Sequence, residues 1–205
     1  MFVRAFVLAG ALWMAACSPA GLAIGAASGA AVSVAKEKPV GDQLDDLNID
    51  LAIQKAWFDA DPNLFIKIDA FVNDGNVLLT GLTNDPTVRV EAARIAWEQD
   101  GVKSLVNEVQ IAGGGGLAAY ARDSWVTAQL LSRITFDTSI RAVNYTVDTV
   151  EGVIYLMGIA QNEGERDRVI RHARQIPYVR QISDYTRIKK PPGPVIASSQ
   201  GLDSQ

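Results

Sequence analysis

The sequence predicts an α+β protein of two tandem domains, each running helix, strand, strand, helix, strand, with a mixed three-stranded sheet packed on two helices. Three observations carry this reading. Asp74–Gly81 reads DGNVLLTG and Glu151–Gly158 reads EGVIYLMG, each an acid-Gly turn entering an apolar run that closes on glycine. The offset between them (151 − 74 = 77) holds without a gap on both sides. Asp46 maps to Asp123, Ile49 to Val126, Ile53 to Leu130, Ile66 to Val143, Arg89 to Arg166, Arg94 to Arg171 and Ile111 to Ile188. Helical and strand spacings of apolar residues then alternate in the same order in both halves, the mark of a duplicated module.

In the first copy a helical run starts near Asp46, with Ile49, Ile53, Ala56 and Trp57 on one side, and Asp61-Pro62-Asn63 breaks it. Phe65–Ala70 alternates as a strand, and Asp74-Gly75 turns it into a second strand at Val77–Leu82. Asn84, Asp85 and Pro86 form a helix start, an Asx cap with proline in the first turn. Val90, Ala93, Ile95 and Trp97 run along that helix, Asp100-Gly101 closes it, and Val102–Ile111 is the last strand. In the second copy Asp123 caps a helix carrying Val126, Leu130 and Ile134. Ile140–Thr149 and Val153–Ile159 form the hairpin, Asn162–Ile176 the second helix, and Val179–Ile188 the final strand. Gly75 and Gly152 supply positive φ at the turns, while Gly81 and Gly158 are placed where a strand ends and the chain swings away. The domains are thus 46–111 and 123–190, joined by a Gly-rich linker at 112–122 and followed by a disordered tail at 191–205.

Charge separates the two copies. The chain has a formal net charge of −4, yet residues 46–111 hold five Lys/Arg against eleven Asp/Glu and residues 123–190 hold ten against eight. A chain of this balance is not expected to bind nucleic acid. One Cys and one His exclude an intrachain disulfide and a zinc cluster. No phosphate loop is present, since Gly113–Gly116 lacks the Lys and Ser/Thr of such a loop. No catalytic, metal or cofactor site is expected.

The single cysteine stands where a targeting signal would need it. Arg4 precedes a short apolar run, Ala5–Ala16, and then Cys17. Residues 1–16 read as a secretory signal, too short to span a bilayer. Met14-Ala15-Ala16-Cys17 resembles the bacterial lipobox, which implies cleavage before Cys17 and its acylation. Ser18 in place of Asp implies outer-membrane sorting and a chain facing the periplasm. Residues 17–45 form the lipidated start and an Ala/Gly-rich tether, with Gly21, Gly25 and Gly29 at every fourth position.

The repeated unit resembles the BON domain. Gly75, Val77, Leu79, Gly81, Gly101, Val102, Val106, Asn107 and Ile111 carry the match, with counterparts in the second copy; Tyr178 stands where the second copy lacks the glycine before its last strand. The whole arrangement is similar to dual BON-domain outer-membrane lipoproteins. That resemblance implies an anionic phospholipid membrane as partner and a part in outer-membrane integrity, with the second copy making the contact through a surface that includes a Trp at position 125. The expected contact residues are Trp125, Val126, Gln129 and Arg133 on one helix and Arg168, Arg171 and Arg174 on the next. From the residues alone, Trp125 is at the edge of its helix's buried stripe, in the first turn, suited to a membrane interface or to packing between the copies. The arginine strip suits lipid headgroups or an acidic partner, or is a solvated face paired with Glu163, Glu165 and Asp167. An envelope protein partner, with the chain as an interaction scaffold, is the alternative.

Overall fold

A computed structural model describes residues 40–111 and 116–189. Cys17, the signal, the tether before residue 40 and the tail lie outside the described residues. The first copy comprises α1 (Val40–Ala60), α2 (Pro62–Lys67), β1 (Ile68–Asn73), β2 (Asn76–Thr83), α3 (Pro86–Trp97), β3 (Ser104–Asn107) and β4 (Gln110–Ile111). The second comprises α4 (Gly116–Phe136), a 3-10 turn (Ala142–Asn144), β5 (Tyr145–Val150), β6 (Val153–Ala160), α5 (Glu163–Arg174) and β7 (Gln181–Ile188).

In each copy the central strand pairs antiparallel with its hairpin partner and parallel with the strand that returns after a helix. The register keeps the 77-residue offset: Phe71 faces Leu78 as Asp148 faces Tyr155. Strand alternation then divides each sheet into two faces. Val77 and Leu79 join Ile49, Ile53, Trp57, Ile95 and Val109 in one core; Ile154 and Leu156 join Val126, Leu130, Ile134, Val169 and Ala173 in the other. The intervening Leu78, Tyr155 and Met157 point the opposite way and meet each other, with Phe71, Val150, Val153 and Tyr185 around them. The copies therefore pack sheet against sheet, with the helices on the two outer sides, in four layers.

This seam follows an approximate two-fold axis. The Gln110 amide donates to the Val150 carbonyl at 2.9 Å, and its counterpart Arg187 donates to Asn73 at 2.7 Å, where 73 is the counterpart of 150. Glu108 accepts from the hydroxyl of Tyr185, its own counterpart. Such a contact is isologous in the sense used for dimers. It also holds carboxylates: Thr80 Oγ1 donates to Asp148 at 2.5 Å. Asp69 stands at the seam's edge and is still exposed to solvent; partial desolvation, then the charges of Asp148 and Asp50, push it up to about 6. Desolvation raises Asp148 as well.

Several sequence expectations change. Phe65–Lys67 is helix, because Asp61 caps a turn there by accepting from the Asn63 N–H at 2.9 Å, so β1 begins only at Ile68. In the same way the hairpin strand of the second copy begins at Tyr145, after the 3-10 turn. Val90 and Trp97 are exposed, and α3 buries Ala92, Ile95 and Ala96 instead. The last strand of the first copy breaks between Asn107 and Gln110, where the Val109 N–H turns to the Asn107 side chain at 3.2 Å. Gly81 and Gly158 lie within β2 and β6 rather than at their ends. A Cβ there would sit 2.3 Å from the Lys67 carbonyl oxygen and 2.0 Å from that of Asn144, so these glycines admit the backbone entering the neighbouring strand. Residues 40–45, read as tether, and 116–122, read as linker, form the first turns of α1 and α4.

Candidate functional site

Asp123 is not a helix cap. It lies seven residues into α4, buried, and accepts from the N–H groups of Glu151 and Gly152 at 2.7 and 2.9 Å. Asp46 does the same for Asp74 and Gly75 at 2.9 Å each. Each long helix is thus pinned to its hairpin tip by a charge-assisted pair of hydrogen bonds. The tip in turn meets the segment before the last strand. A Cβ on Gly152 would lie 2.7 Å from the carbonyl oxygen of Tyr178, so glycine is needed for that approach. The Arg180 N–H donates to the Gly152 carbonyl at 2.8 Å, so the segment carrying Tyr178 is tied to the hairpin tip that Asp123 holds.

At this point the two copies diverge. Tyr178 has φ +72, outside the hairpin turns that hold the other non-glycine residues of positive φ. Its ring projects into solvent, 63% exposed, and meets Trp125 edge to face with centroids 6.1 Å apart and planes at 72°. The Arg122 guanidinium carbon lies 5.2 Å from the centre of the same ring, within cation–π range. Trp125 itself is 42% exposed. The first copy has Asp45, Asn48 and Gly101 at these three positions. One end of the molecule thus presents an amphipathic aromatic pair with a cation stacked on it, and the matching end presents an acid, an amide and no side chain.

The expected contact residues separate into groups. Arg122, Trp125, Gln129 and Arg133 follow helical spacing and share one flank of α4. Trp125 lies in the third turn rather than the first, because α4 starts at Gly116. Val126 does not belong to the surface. It is fully buried in the core of the second copy and cannot touch a ligand in the folded chain. Arg168, Arg171 and Arg174 are exposed on α5. Arg168 points toward Asp137, 4.0 Å away, just past the end of α4. Twelve residue steps separate Trp125 from Asp137, about 18 Å along a helix, so Arg168 stands apart from the aromatic pair. His172 also binds Asp137, at 2.8 Å. That hydrogen bond, with one from the Ser139 N–H, holds the Asp137 carboxyl below the usual range.

Arg122 and Tyr178 were missed as site residues from sequence. Arg122 falls in the stretch that reads as linker, where the sequence predicts no helical face. The missing glycine at 178 was visible as a departure between the copies, but its meaning needed the backbone conformation. Among the described residues no helix is long and apolar enough to cross a membrane.

The BON domain family model matches residues 45–113 and 122–190. A protein of Anaplasma centrale described as an uncharacterized protein in the gshII 5' region is 39% identical over 147 residues, which cover 71% of this chain and 96% of that one. The outer membrane lipoprotein DolP of Haemophilus influenzae is 27% identical over 158 residues, 75% of this chain and 79% of its own. The osmotically-inducible protein Y of Escherichia coli is 24% identical over 152 residues, 73% of this chain and 76% of its own.

Proposed function

The chain belongs to the BON family, as a dual-domain member, and from that premise we propose that it is a non-catalytic lipoprotein of the cell envelope whose second copy binds anionic phospholipid. The observation that carries this is the exposed Trp125–Tyr178 pair with Arg122 on its ring. Indole and phenol rings with polar tips partition to the boundary between acyl chains and headgroups. A guanidinium beside them supplies a partner for the phosphate. Gln129 and Arg133 extend the same flank, and Arg171 and Arg174 add positive field from α5. The contrast with Asp45, Asn48 and Gly101 in the acidic first copy supports confinement of the contact to the second.

The Haemophilus relative is named an outer membrane lipoprotein, which supports the same anchoring here: acylation on Cys17, outer-membrane residence facing the periplasm, and a part in barrier integrity. The acyl anchor provides attachment and the second contact provides lipid choice through high effective concentration. The test is NMR titration of the chain lacking residues 1–17 with anionic and with zwitterionic micelles. Shifts gathered on Arg122, Trp125 and Tyr178 with anionic micelles alone are expected, and Trp125→Glu should abolish them. A flat titration of the folded chain overturns the reading.

A second reading, an envelope protein scaffold, is favoured by one feature. Leu44, Leu47, Leu51 and Phe58 form an exposed stripe on α1, and Phe65 stacks edge to face on Phe58 at 6.0 Å. An apolar stripe on an acidic copy suits a protein partner better than an anionic bilayer. Leu47→Asp with Leu51→Asp, leaving micelle binding intact but impairing the barrier, would favour it.

A further inference from the structure

Tyr178 holds a backbone conformation that bulky L-residues rarely adopt. The first copy solves the same bend with Gly101, at φ +90. There a side chain is also sterically barred: a Cβ on Gly101 would lie 2.9 Å from Cδ1 and 3.0 Å from Cγ1 of Ile49. In the second copy the counterpart of Ile49 is Val126, which lacks the δ-methyl. Two linked differences, Gly to Tyr on the surface and Ile to Val in the core beneath, thus place an aromatic ring where the module's geometry favours none. Backbone strain of this kind is retained where the side chain has work to do.

We infer that Tyr178 is a positioning residue of the lipid site: it holds the Arg122 guanidinium and the Trp125 indole in one arrangement that takes a phosphodiester headgroup and the first methylenes of its acyl chains together. This rests on the lipid reading above and names the elements that give it selectivity. A guanidinium with one face on an aromatic ring keeps its N–H edges free for bidentate phosphate contact. The ring restricts a long side chain that would otherwise lose its rotamer freedom on binding. The edge-to-face contact sets the tilt of the indole.

The test uses the chain lacking residues 1–17, with phosphatidylglycerol vesicles and phosphatidylcholine vesicles as probes. Tyr178→Gly restores the residue the first copy uses, so the unfolding midpoint is expected not to fall, while affinity for the anionic vesicles drops about tenfold. Tyr178→Phe keeps the ring and should bind as wild type. Arg122→Gln should retain part of the binding and lose the preference for the anionic vesicles. The Trp125 indole N–H resonance should shift in Tyr178→Gly before any lipid is added. Tyr178→Asn, which also tolerates a left-handed backbone, is the second variant against misfolding and should behave as Tyr178→Gly. Wild type that ignores both vesicles overturns the lipid reading and this inference with it. Wild type that binds, with Tyr178→Gly binding equally, overturns this inference alone.

Discussion

Val126→Ile is the substitution that most directly interrogates how the second copy accommodates a side chain at 178. In the first copy the distance from Ile49 Cδ1 to a Cβ at 101 would be 2.9 Å. Carbon atoms in contact prefer about 3.5–4.0 Å, so an isoleucine at 126 must move, or move Tyr178, by roughly 0.5–1 Å. Neither is free to do so easily. Position 126 is fully buried, and the segment carrying Tyr178 is tied to the hairpin tip by the Arg180 N–H donating to the Gly152 carbonyl. Overpacking of this kind costs about 1–3 kcal/mol. Tyr178→Gly alone should change stability by under about 1 kcal/mol, because relief of the left-handed strain offsets the entropy gained by the unfolded chain. With the Cβ gone, Val126→Ile should cost little, as isoleucine does beside Gly101. The double-mutant cycle, read by urea unfolding of the chain lacking residues 1–17, should therefore show a coupling of at least about 1 kcal/mol. Additive effects within about 0.3–0.5 kcal/mol would show that residues 126 and 178 do not compete for space, and would refute the pairing of the two differences.

Gly158→Ala places a methyl 2.0 Å from the Asn144 carbonyl oxygen at φ +143, so the second copy should lose more than about 3 kcal/mol, seen as an early unfolding transition. Asp123→Ala removes two charge-assisted bonds to the hairpin tip and should cost about 2–4 kcal/mol, with exchange protection lost first at Glu151 and Gly152. The seam carboxylates have folded pKa values raised above their unfolded ones, with Asp69 at about 6. The contribution of Asp69 is therefore full below about pH 4 and is lost as pH rises through about 6. Unfolding midpoints should be higher at pH 5 than at pH 7.5, and Asp69→Asn should flatten the difference. Solvent screening at the seam's edge keeps this below about 1 kcal/mol.

Fold class and repeat were legible because both rest on periodicity and on one offset that all residue types obey. Ile49, Ile53 and Trp57 fell on the buried side of α1 as their spacing requires. What misled was local: Phe65-Ile66-Lys67 alternates like a strand, but Asp61 caps a helical turn over it. Val126 reads as core from its helical spacing and is also expected at the contact; burial decides for the core. Asp123 reads as a helix cap by residue type, but its partners are N–H groups 28 and 29 residues away. No local signal carries that distance. The seam was invisible for the same reason: Leu78, Tyr155 and Met157 look like ordinary strand residues until a second sheet is laid on them.

Under the anchored-lipoprotein reading proposed above, the four layers bear on how an anchor at Cys17 would be attached. Helices of the two copies lie on opposite outer sides of the paired sheets, so a flat bilayer meeting Trp125 on α4 cannot also meet Leu51 on α1. The chain from Cys17 enters the structure at Val40, the start of α1, on the layer away from that bilayer. Three layer spacings of about 10 Å each separate the two helical layers, roughly 30 Å. The 23 residue steps from 17 to 40 span at most about 80 Å when extended, enough to pass around the domain. Deleting residues 20–35 leaves seven steps, about 25 Å, which is too short. Under the anchored-lipoprotein reading, the acylated chain should then lose the Trp125 contact while keeping its membrane attachment, as read by depth-dependent quenching at position 125. Sixteen Gly/Ser residues in place of 20–35 should restore it, since only reach is at issue. Undiminished quenching in the short chain would mean that Trp125 faces the bilayer from the same side as Val40, and would refute the layered placement of anchor and lipid contact.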